Sequence, residues 1–185
     1  MRLNLGCGYK KSPSYVNVDK FPECQPDMLV DLEKFPWPFD DNSADEVMFN
    51  HSLEHMGADV QVFLGIIKEV YRICKPGARV VVNVPHPRHD DFINDPTHVR
   101  AVTPQMLRLF SKKLNQYWIS VGDARTSFAL YLNVDFELVT CGFTPDPKYE
   151  ALQREGKISS NDIVQLMMER NNVVKSFEME LIAIK

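Results

Sequence analysis

The chain has 185 residues, 25 acidic and 21 basic side chains, and a formal net charge of -4. This size suits one domain, placed at 1–185, and the mild acidity argues against nucleic-acid binding, which depends on clustered Lys and Arg. No membrane span, signal peptide or Cys-x-x-Cys pair is visible, so we expect a cytoplasmic protein with reduced thiols and no membrane partner.

Signals for strands and helices alternate along the chain, which is typical of an α/β fold with a mostly parallel sheet. The segment 35–39 contains two prolines and fits neither a strand nor a helix. The predicted strands are 3–5, 15–19, 28–31, 45–50, 79–84, 133–141 and 176–184.

Helices are predicted between the later strands. Apolar residues recur at helical spacing over 60–71, and the Lys-Pro-Gly sequence at 75–77 ends that helix. Thr103 is an N-cap followed by proline at the first helical position, which predicts a helix through about residue 114. The segment 145–172 is expected to hold further helices.

Acidic residues at the ends of the predicted strands strengthen an otherwise weak glycine pattern. The Gly-Cys-Gly sequence at 6–8 is, by itself, equally explained by a tight turn. Asp19 and Asp31 end the next two strands, and ligands of open α/β sheets bind in that crevice. A dinucleotide site needs a third glycine and an acid about 20 residues further on, whereas this sequence has Lys11 and an acid only 13 residues after Gly6. No P-loop sequence occurs either. These features favour a ribose-containing ligand without pyrophosphate.

Five blocks, in the same order, resemble a class I S-adenosylmethionine-dependent methyltransferase of the type 11 group. The resemblance is tight over residues 1–85, the cofactor-binding half, and holds in outline over 86–185, the substrate side. It implies a Rossmann-like, seven-stranded, mostly parallel sheet with an antiparallel last strand in a three-layer α/β/α arrangement. The blocks are 3–8, 16–19, 31–47, 51–55 and 69–78.

The resemblance implies S-adenosyl-L-methionine as the cofactor. In this pattern the glycine turn would hold the methionine end, Asp19 the ribose hydroxyls, and Asp31 the adenine amino group. Asp31 is also explained as a turn cap, and Phe21 as a core residue rather than an adenine contact. The residues that the resemblance places around the cofactor are Gly6, Cys7, Gly8, Asp19, Lys20, Phe21, Asp31, Leu32, Asn50 and His51.

Three departures from the family pattern bear on this site. Asn4 stands where an acid is usual, and Lys10 stands where a third small residue is usual. The family's helices before the first strand also have no counterpart here. We therefore expect an open cofactor site, or one covered by a partner subunit or by 145–172. A catalytically degenerate, cofactor-binding partner subunit is the alternative function, and a nucleotide-linked oxidoreductase is a second rival.

The loop after the fifth predicted strand carries the candidate catalytic residues. An alcohol or protonated amine acceptor must lose a proton, and a histidine oriented by a carboxylate suits that step near neutral pH. We predict His98 with Asp95 as the base, and His86 or His51 as the second choice. A capped turn also explains residues 95–97.

Two further roles are considered for the same loop. Arg88 and Arg100 are candidates for holding an acidic substrate group. A metal site would need an irregularly spaced set of residues, so we predict no metal ligands. That set is His86, His89, Asp91 and His98.

The sequence as a whole predicts a methyltransferase that acts on an oxygen or nitrogen atom of a small molecule or sugar moiety. The expected partner is a small-molecule or glycan-type acceptor, without nucleic acid or membrane, and a homodimer is left open.

Overall fold

A seven-stranded β-sheet runs through the chain, which the computed structural model describes over residues 1–185. Its strands are β1 (Arg2–Leu5), β2 (Val16–Asp19), β3 (Met28–Leu29), β4 (Ala44–Asn50), β5 (Cys74–Pro85), β6 (Phe136–Pro145) and β7 (Val174–Ala183). They lie in the order β3-β2-β1-β4-β5-β7-β6. β1 to β5 pair in parallel, whereas β7 is antiparallel to both β5 and β6. This topology confirms the predicted sheet and its antiparallel last strand.

Seven α-helices connect the strands or extend from them. None of them is long and apolar enough to cross a membrane. Two short 3-10 helices, Pro22–Cys24 and Leu53–His55, lie near the carboxyl ends of β2 and β4. The α-helices are α1 (Val60–Ile73), α2 (Asp90–Ile93), α3 (Pro104–Arg108), α4 (Lys112–Ser120), α5 (Phe128–Leu132), α6 (Pro147–Arg154) and α7 (Ser160–Glu169).

Helix α1 confirms the prediction made from its apolar spacing. Asp59 caps it, because one carboxylate oxygen accepts the backbone N–H groups of Gln61 and Val62. One side of the helix is buried against the sheet. The chain then leaves α1 at Ile73 and enters β5 directly, through an irregular stretch in which Gly77 has a positive φ of 78°.

The predicted single helix from Thr103 to about residue 114 is wrong, because the structure has two helices there. Thr103 caps α3 as expected, but α3 ends at Arg108. Phe110 is only 2% exposed, and its carbonyl oxygen accepts the backbone N–H of Phe136. Ser111 then caps α4. Burial of Phe110 and its bond to β6 therefore outweigh the local tendency to continue the helix.

Two other strand predictions are shifted at their ends. The strand predicted at 28–31 is only two residues long, because a turn begins at Asp31. The strand predicted at 133–141 begins at Phe136 and extends to Pro145. Residues 128–132 form α5, and Asn133 has a φ of +51° at its end, so the strand starts later.

The helices α1 and α3 pack on one face of the sheet. Alternate residues of β5, Val80 and Val82, are buried there with Ile67 of α1 and Leu107 of α3. The intervening residue Val81 is half-buried on the opposite face. The apolar core therefore lies mainly between these helices and the sheet.

The opposite face carries a row of ion pairs that spans β1, β4, β5 and β7. Glu46 pairs with Arg2 at 3.3 Å and with Arg79 at 3.4 Å. Arg79 also pairs with Glu180 at 2.8 Å. The non-helical segment 10–15 approaches this face, where the hydroxyl of Tyr15 donates to Glu46. The side-chain contacts between neighbouring strands described on this face are therefore ionic.

Candidate functional site

A cavity of about 250 Å³ opens at the carboxyl ends of β1 to β4. Every lining residue lies within the half predicted to bind the cofactor, and none comes from 145–172. The expectation that this segment covers the cavity is therefore wrong. The lining residues are Gly6, Gly8, Asp19, Lys20, Phe21, Cys24, Val30, Asp31, Leu32, Glu33, His51, Ser52, His55 and Met56.

The glycine turn after β1 forms one wall of the cavity. Gly6 has a φ of +71°, and a β-carbon there would lie 2.6 Å from the β-carbon of Ser52, so only glycine allows this close approach. Gly8 has a φ of +50°, and a β-carbon there would meet no atom within 4 Å. Cys7 is buried and its side chain does not line the cavity. The two glycines, rather than Cys7, therefore shape the wall.

Asp19 lies where the sequence predicts a ribose contact. Its side chain is 8% exposed, one carboxylate oxygen accepts the N–H of Gly8 at 2.8 Å, and the other accepts the N–H of Phe21 at 3.0 Å. A carboxylate oxygen can accept more than one hydrogen bond. Asp19 is therefore held in place by the backbone and can still accept hydrogen bonds from two hydroxyl groups.

An aromatic ring and an aliphatic side chain lie beyond Asp19. Phe21 is 55% exposed and lines the cavity, so its alternative interpretation as a core residue is wrong. Lys20 places its ammonium group 5.3 Å from the centre of the Phe21 ring. Leu32 is buried in the core and also lines the cavity. These groups offer apolar surface to a flat ring.

Asp31 combines the two roles that the sequence left open. One carboxylate oxygen accepts the N–H of Glu33 at 3.1 Å, and the other lies 3.2 Å from the ammonium group of Lys34. The side chain therefore caps the turn after β3. It also lines the cavity, so the cap does not remove it from the site.

The end of β4 supplies the opposite wall. His51 has a φ of +53° and lines the cavity, with Nδ1 3.6 Å from Oε1 of Glu54. Asn50 accepts a hydrogen bond from Asn83 at 3.4 Å and is not among the lining residues. His55 lines the cavity as well. The sequence pattern assigned no site role to Glu54 and favoured a structural role for His55, although both lie in the block 51–55.

His98 and Asp95 are neighbours, but they do not form a hydrogen-bonded pair. His98 Nε2 lies 3.8 Å from Oδ2 of Asp95. The other oxygen of Asp95 accepts the backbone N–H and the hydroxyl of Thr97, and these bonds lower the pKa of Asp95. Residues 95–97 thus form the capped turn considered as an alternative. Neither His98 nor Asp95 lines the cavity.

His86 does not have the properties of the predicted base. It is buried against Phe177, and its Nδ1 accepts the backbone N–H of Arg88. Burial lowers the pKa of His86 to about 4, so the imidazole is neutral and weakly basic at pH 7. It is also absent from the cavity lining.

The other polar residues of this loop have structural contacts. His89 caps α2 and places Nε2 3.3 Å from Asp146. Arg88 donates to the carbonyl oxygen of Met168. Arg100 lies over the ring of Phe63, 4.3 Å from its centre. Neither arginine lines the cavity, so the structure gives no support to their predicted contact with an acidic substrate group.

The four residues considered from sequence as metal ligands are not brought together. The cluster of potential ligand side chains in the structure contains His98, but neither His86, His89 nor Asp91. It consists instead of Glu54, His55 and His98, whose ligand atoms lie within 4.8 Å of one another.

Comparisons with known proteins agree with the fold and with the position of the cavity. Residues 7–82 match the family model described as a methyltransferase domain, which includes every cavity residue except Gly6. A comparison with curated proteins gives no match.

Three solved structures are similar in fold. A SAM-dependent methyltransferase from Archaeoglobus fulgidus has a TM-score of 0.60 and 17% identity, covering 97% of this chain and 84% of its own. Phosphoethanolamine N-methyltransferase 2 of Haemonchus contortus, in complex with S-adenosyl-L-methionine, has a TM-score of 0.56 and 12% identity, with coverages of 100% and 48%. The 1,6-didemethyltoxoflavin-N1-methyltransferase of Burkholderia thailandensis, with S-adenosylhomocysteine bound, has a TM-score of 0.53 and 11% identity, with coverages of 99% and 70%.

At 17%, 12% and 11% identity, the similarity to solved structures shows a shared fold and no more. The domain match covers the part of the sequence that contains the cavity residues. Both agree with the five sequence blocks and with the strand order of the sheet. The chain therefore carries a methyltransferase domain at residues 7–82 and has the fold of S-adenosylmethionine-dependent methyltransferases.

Proposed function

We propose that the chain transfers the methyl group of S-adenosylmethionine to an oxygen or nitrogen atom of a small molecule or sugar moiety. The observation that carries this proposal is the make-up of the cavity. A fixed carboxylate, Asp19, lies on one wall, and two imidazoles, His51 and His55, lie on the wall formed by the end of β4.

The residues of the cavity fit the cofactor. Asp19 is positioned to accept the ribose hydroxyls, and the exposed face of Phe21 offers a surface for the adenine ring. The lack of a side chain at Gly8 leaves space at the wall of the cavity. When bound, S-adenosylmethionine supplies a methyl group on a positively charged sulfur atom. The chain's own task is then to hold the acceptor atom in line and to accept its proton.

His51 is the best-placed residue to accept that proton. Unlike His86 and His98, it lines the cavity, and its side chain is partly exposed. Glu54 lies 3.6 Å from its Nδ1, close enough to influence the orientation of the ring. We therefore place His51 ahead of His98 as the general base.

A small acceptor agrees with the dimensions and charge of the protein. Lys20 is the only lysine or arginine that lines the cavity of about 250 Å³, and the formal net charge is -4, so a polyanionic acceptor is disfavoured. The Haemonchus contortus and Burkholderia thailandensis enzymes are named as N-methyltransferases of phosphoethanolamine and 1,6-didemethyltoxoflavin, so proteins of this fold accommodate small acceptors.

The cofactor assignment is tested by thermal shift with S-adenosylhomocysteine on wild type, Asp19→Asn and Asp27→Asn. Asp27 is the matched control, because its carboxylate, like that of Asp19, accepts a backbone N–H hydrogen bond, here from Asn17, but does not line the cavity. Loss of hydrogen bonds to a charged group, worth about 1.5–3 kcal/mol, should weaken binding to Asp19→Asn about 10- to 100-fold. Equal shifts for all three proteins would refute the ribose assignment.

The acceptor class is tested by transfer of an isotopically labelled methyl group to separate pools. The pools are small hydroxylated compounds and sugars, small amines, RNA, and protein. Label should enter one of the first two pools, and His51→Gln should slow transfer by a larger factor than it weakens S-adenosylhomocysteine binding. Label in RNA or protein would contradict the proposal. Cofactor binding without transfer to any pool, together with a stable hetero-complex, would favour the degenerate partner subunit.

A further inference from the structure

Glu54 is an unusually isolated carboxylate. The residue is 1% exposed, and neither of its side-chain oxygens has a hydrogen-bond partner. The basic side chains within 4.0 Å of its carboxylate are all histidines, and none is a lysine or arginine. A buried carboxylate without compensation is costly, so its surroundings call for a positive charge.

Two of these histidines present a nitrogen lone pair to Glu54. His98 Nδ1 lies 2.8 Å from the carbonyl oxygen of Phe92, which can only accept, so Nδ1 carries the proton. His55 Nδ1 lies 2.9 Å from the hydroxyl oxygen of Thr97. That hydroxyl already donates to Asp95, so it accepts from His55. In their neutral forms, both rings therefore have an unprotonated Nε2.

The three groups face one another without bonding directly. Oε1 of Glu54 lies 3.9 Å from Nε2 of His55 and 4.0 Å from Nε2 of His98, distances too long for hydrogen bonds. All three atoms are electron-pair donors within 4.8 Å of one another. One cation bound by all three groups would compensate the buried charge of Glu54.

We propose that Glu54, His55 and His98 bind a divalent first-row transition-metal cation. Two imidazoles and one carboxylate form a ligand set that these cations accept while keeping coordination positions open. The hydrogen bonds from Nδ1 of each ring fix the ring orientation, as is usual for histidines that bind metals. The combination of a buried, unpartnered carboxylate with two oriented imidazoles is what distinguishes this cluster from a group of surface acids.

The position of the cluster suggests what the cation does. His55 belongs to the cluster and also lines the cavity, so the cation site borders the wall opposite Asp19. A cation there would hold an oxygen atom of the acceptor and lower the pKa of its hydroxyl group. This role rests on the proposed function and favours a hydroxyl-bearing acceptor, whereas cation binding itself does not depend on methyl transfer.

The test uses the full chain, treated with a chelator and then titrated with Co²⁺, whose visible absorption reports coordination. Wild type should bind one equivalent. Glu54→Gln and His98→Asn should bind at least about 100-fold more weakly, because loss of an outer hydrogen-bond partner alone costs roughly 10- to 100-fold. His89→Gln is the control: His89 is also a buried histidine beside carboxylates, but it lies outside the cluster.

Glu54→Gln keeps the shape of the side chain and removes a buried charge, so its melting temperature without metal should not fall below that of wild type. This separates lost binding from lost folding. Absence of a stoichiometric site in wild type, or equal affinities in wild type and Glu54→Gln, would overturn the proposal. In that case a retained thermal shift with S-adenosylhomocysteine in chelator would leave the proposed function standing. Co²⁺ binding without a thermal shift with S-adenosylhomocysteine would support the cation site and contradict the proposed function.

Discussion

The Asp19 carboxylate accepts the backbone N–H of Gly8 at 2.8 Å and thereby joins the end of β2 to the turn that follows β1. The same side chain faces the cavity. One residue thus holds the turn in place and contributes to the surface that meets the ligand. Changes in the turn are therefore expected to affect binding as well as stability.

Replacement of Gly8 by alanine should reduce cofactor affinity beyond its effect on stability. Gly8 and Gly156 both have positive φ, and a β-carbon at either would meet no atom within 4 Å. Each Gly→Ala change should therefore cost a similar amount of stability, about 1–2 kcal/mol. Only Gly8→Ala should weaken S-adenosylhomocysteine binding, by about tenfold, or 1.4 kcal/mol. Isothermal titration calorimetry on both variants checks this, and equal affinities would contradict it.

Replacement of Gly6 by alanine should mainly lower stability. Gly6 and Gly122 have nearly the same φ, +71° and +72°, but only at Gly6 would the β-carbon clash, 2.6 Å from Ser52. We expect Gly6→Ala to lower the free energy of unfolding by about 1–3 kcal/mol more than Gly122→Ala does. Urea denaturation measures the difference. Equal losses would mean that the end of β4 moves away without penalty.

The buried His86 should make stability depend on pH. Burial lowers the pKa of His86 from 6.5 to about 4 in the folded chain, so the unfolded chain binds more protons between these values. The free energy of unfolding should therefore fall as the pH drops from about 6.5 towards 4, by no more than about 3 kcal/mol. His86→Gln should flatten this part of the profile in urea denaturation at pH 7 and pH 5. A profile unchanged by the substitution would exclude His86 as its source.

Thr97 should influence cation affinity without binding the cation. Its hydroxyl accepts from His55 and donates to Asp95, which makes it a positioning residue for the imidazole. Thr97→Val should weaken Co²⁺ binding roughly 10- to 100-fold, whereas Thr97→Ser should restore it. A Thr97→Val affinity equal to that of wild type would show that His55 does not need this partner.

The sequence predicted those helices, strands and site residues that depend only on neighbouring positions in the chain. The apolar spacing of 60–71 predicted α1, and the position of Asp19 at the carboxyl end of β2 predicted that it contributes to the ligand site, where it lines the cavity. The break at Phe110 was not predictable in this way. It depends on burial of the ring and on a bond to Phe136, which lies 26 residues further along the chain.

The histidine cluster was missed for the same physical reason. The block 51–55 was noticed, but a glutamate in a short polar segment is ordinarily exposed. Glu54 is buried, and its backbone carbonyl oxygen accepts the N–H groups of Val99 and Arg100. The segment 98–100 is therefore held against Glu54. Only this long-range contact brings His98 to Glu54, so the spacing along the chain does not reveal the cluster.

The row of ion pairs on the face of the sheet opposite α1 makes the protein sensitive to ionic strength. Glu46 and Arg79 each take part in two of these pairs, which connect four strands. The screening length shortens from about 10 Å at 0.1 M salt to about 3 Å at 1 M, and partly exposed pairs weaken accordingly. The backbone ladders that pair the strands are common to both faces, but the cross-strand side-chain contacts on this face are ionic, so added salt weakens them and leaves the apolar contacts beneath α1 unscreened.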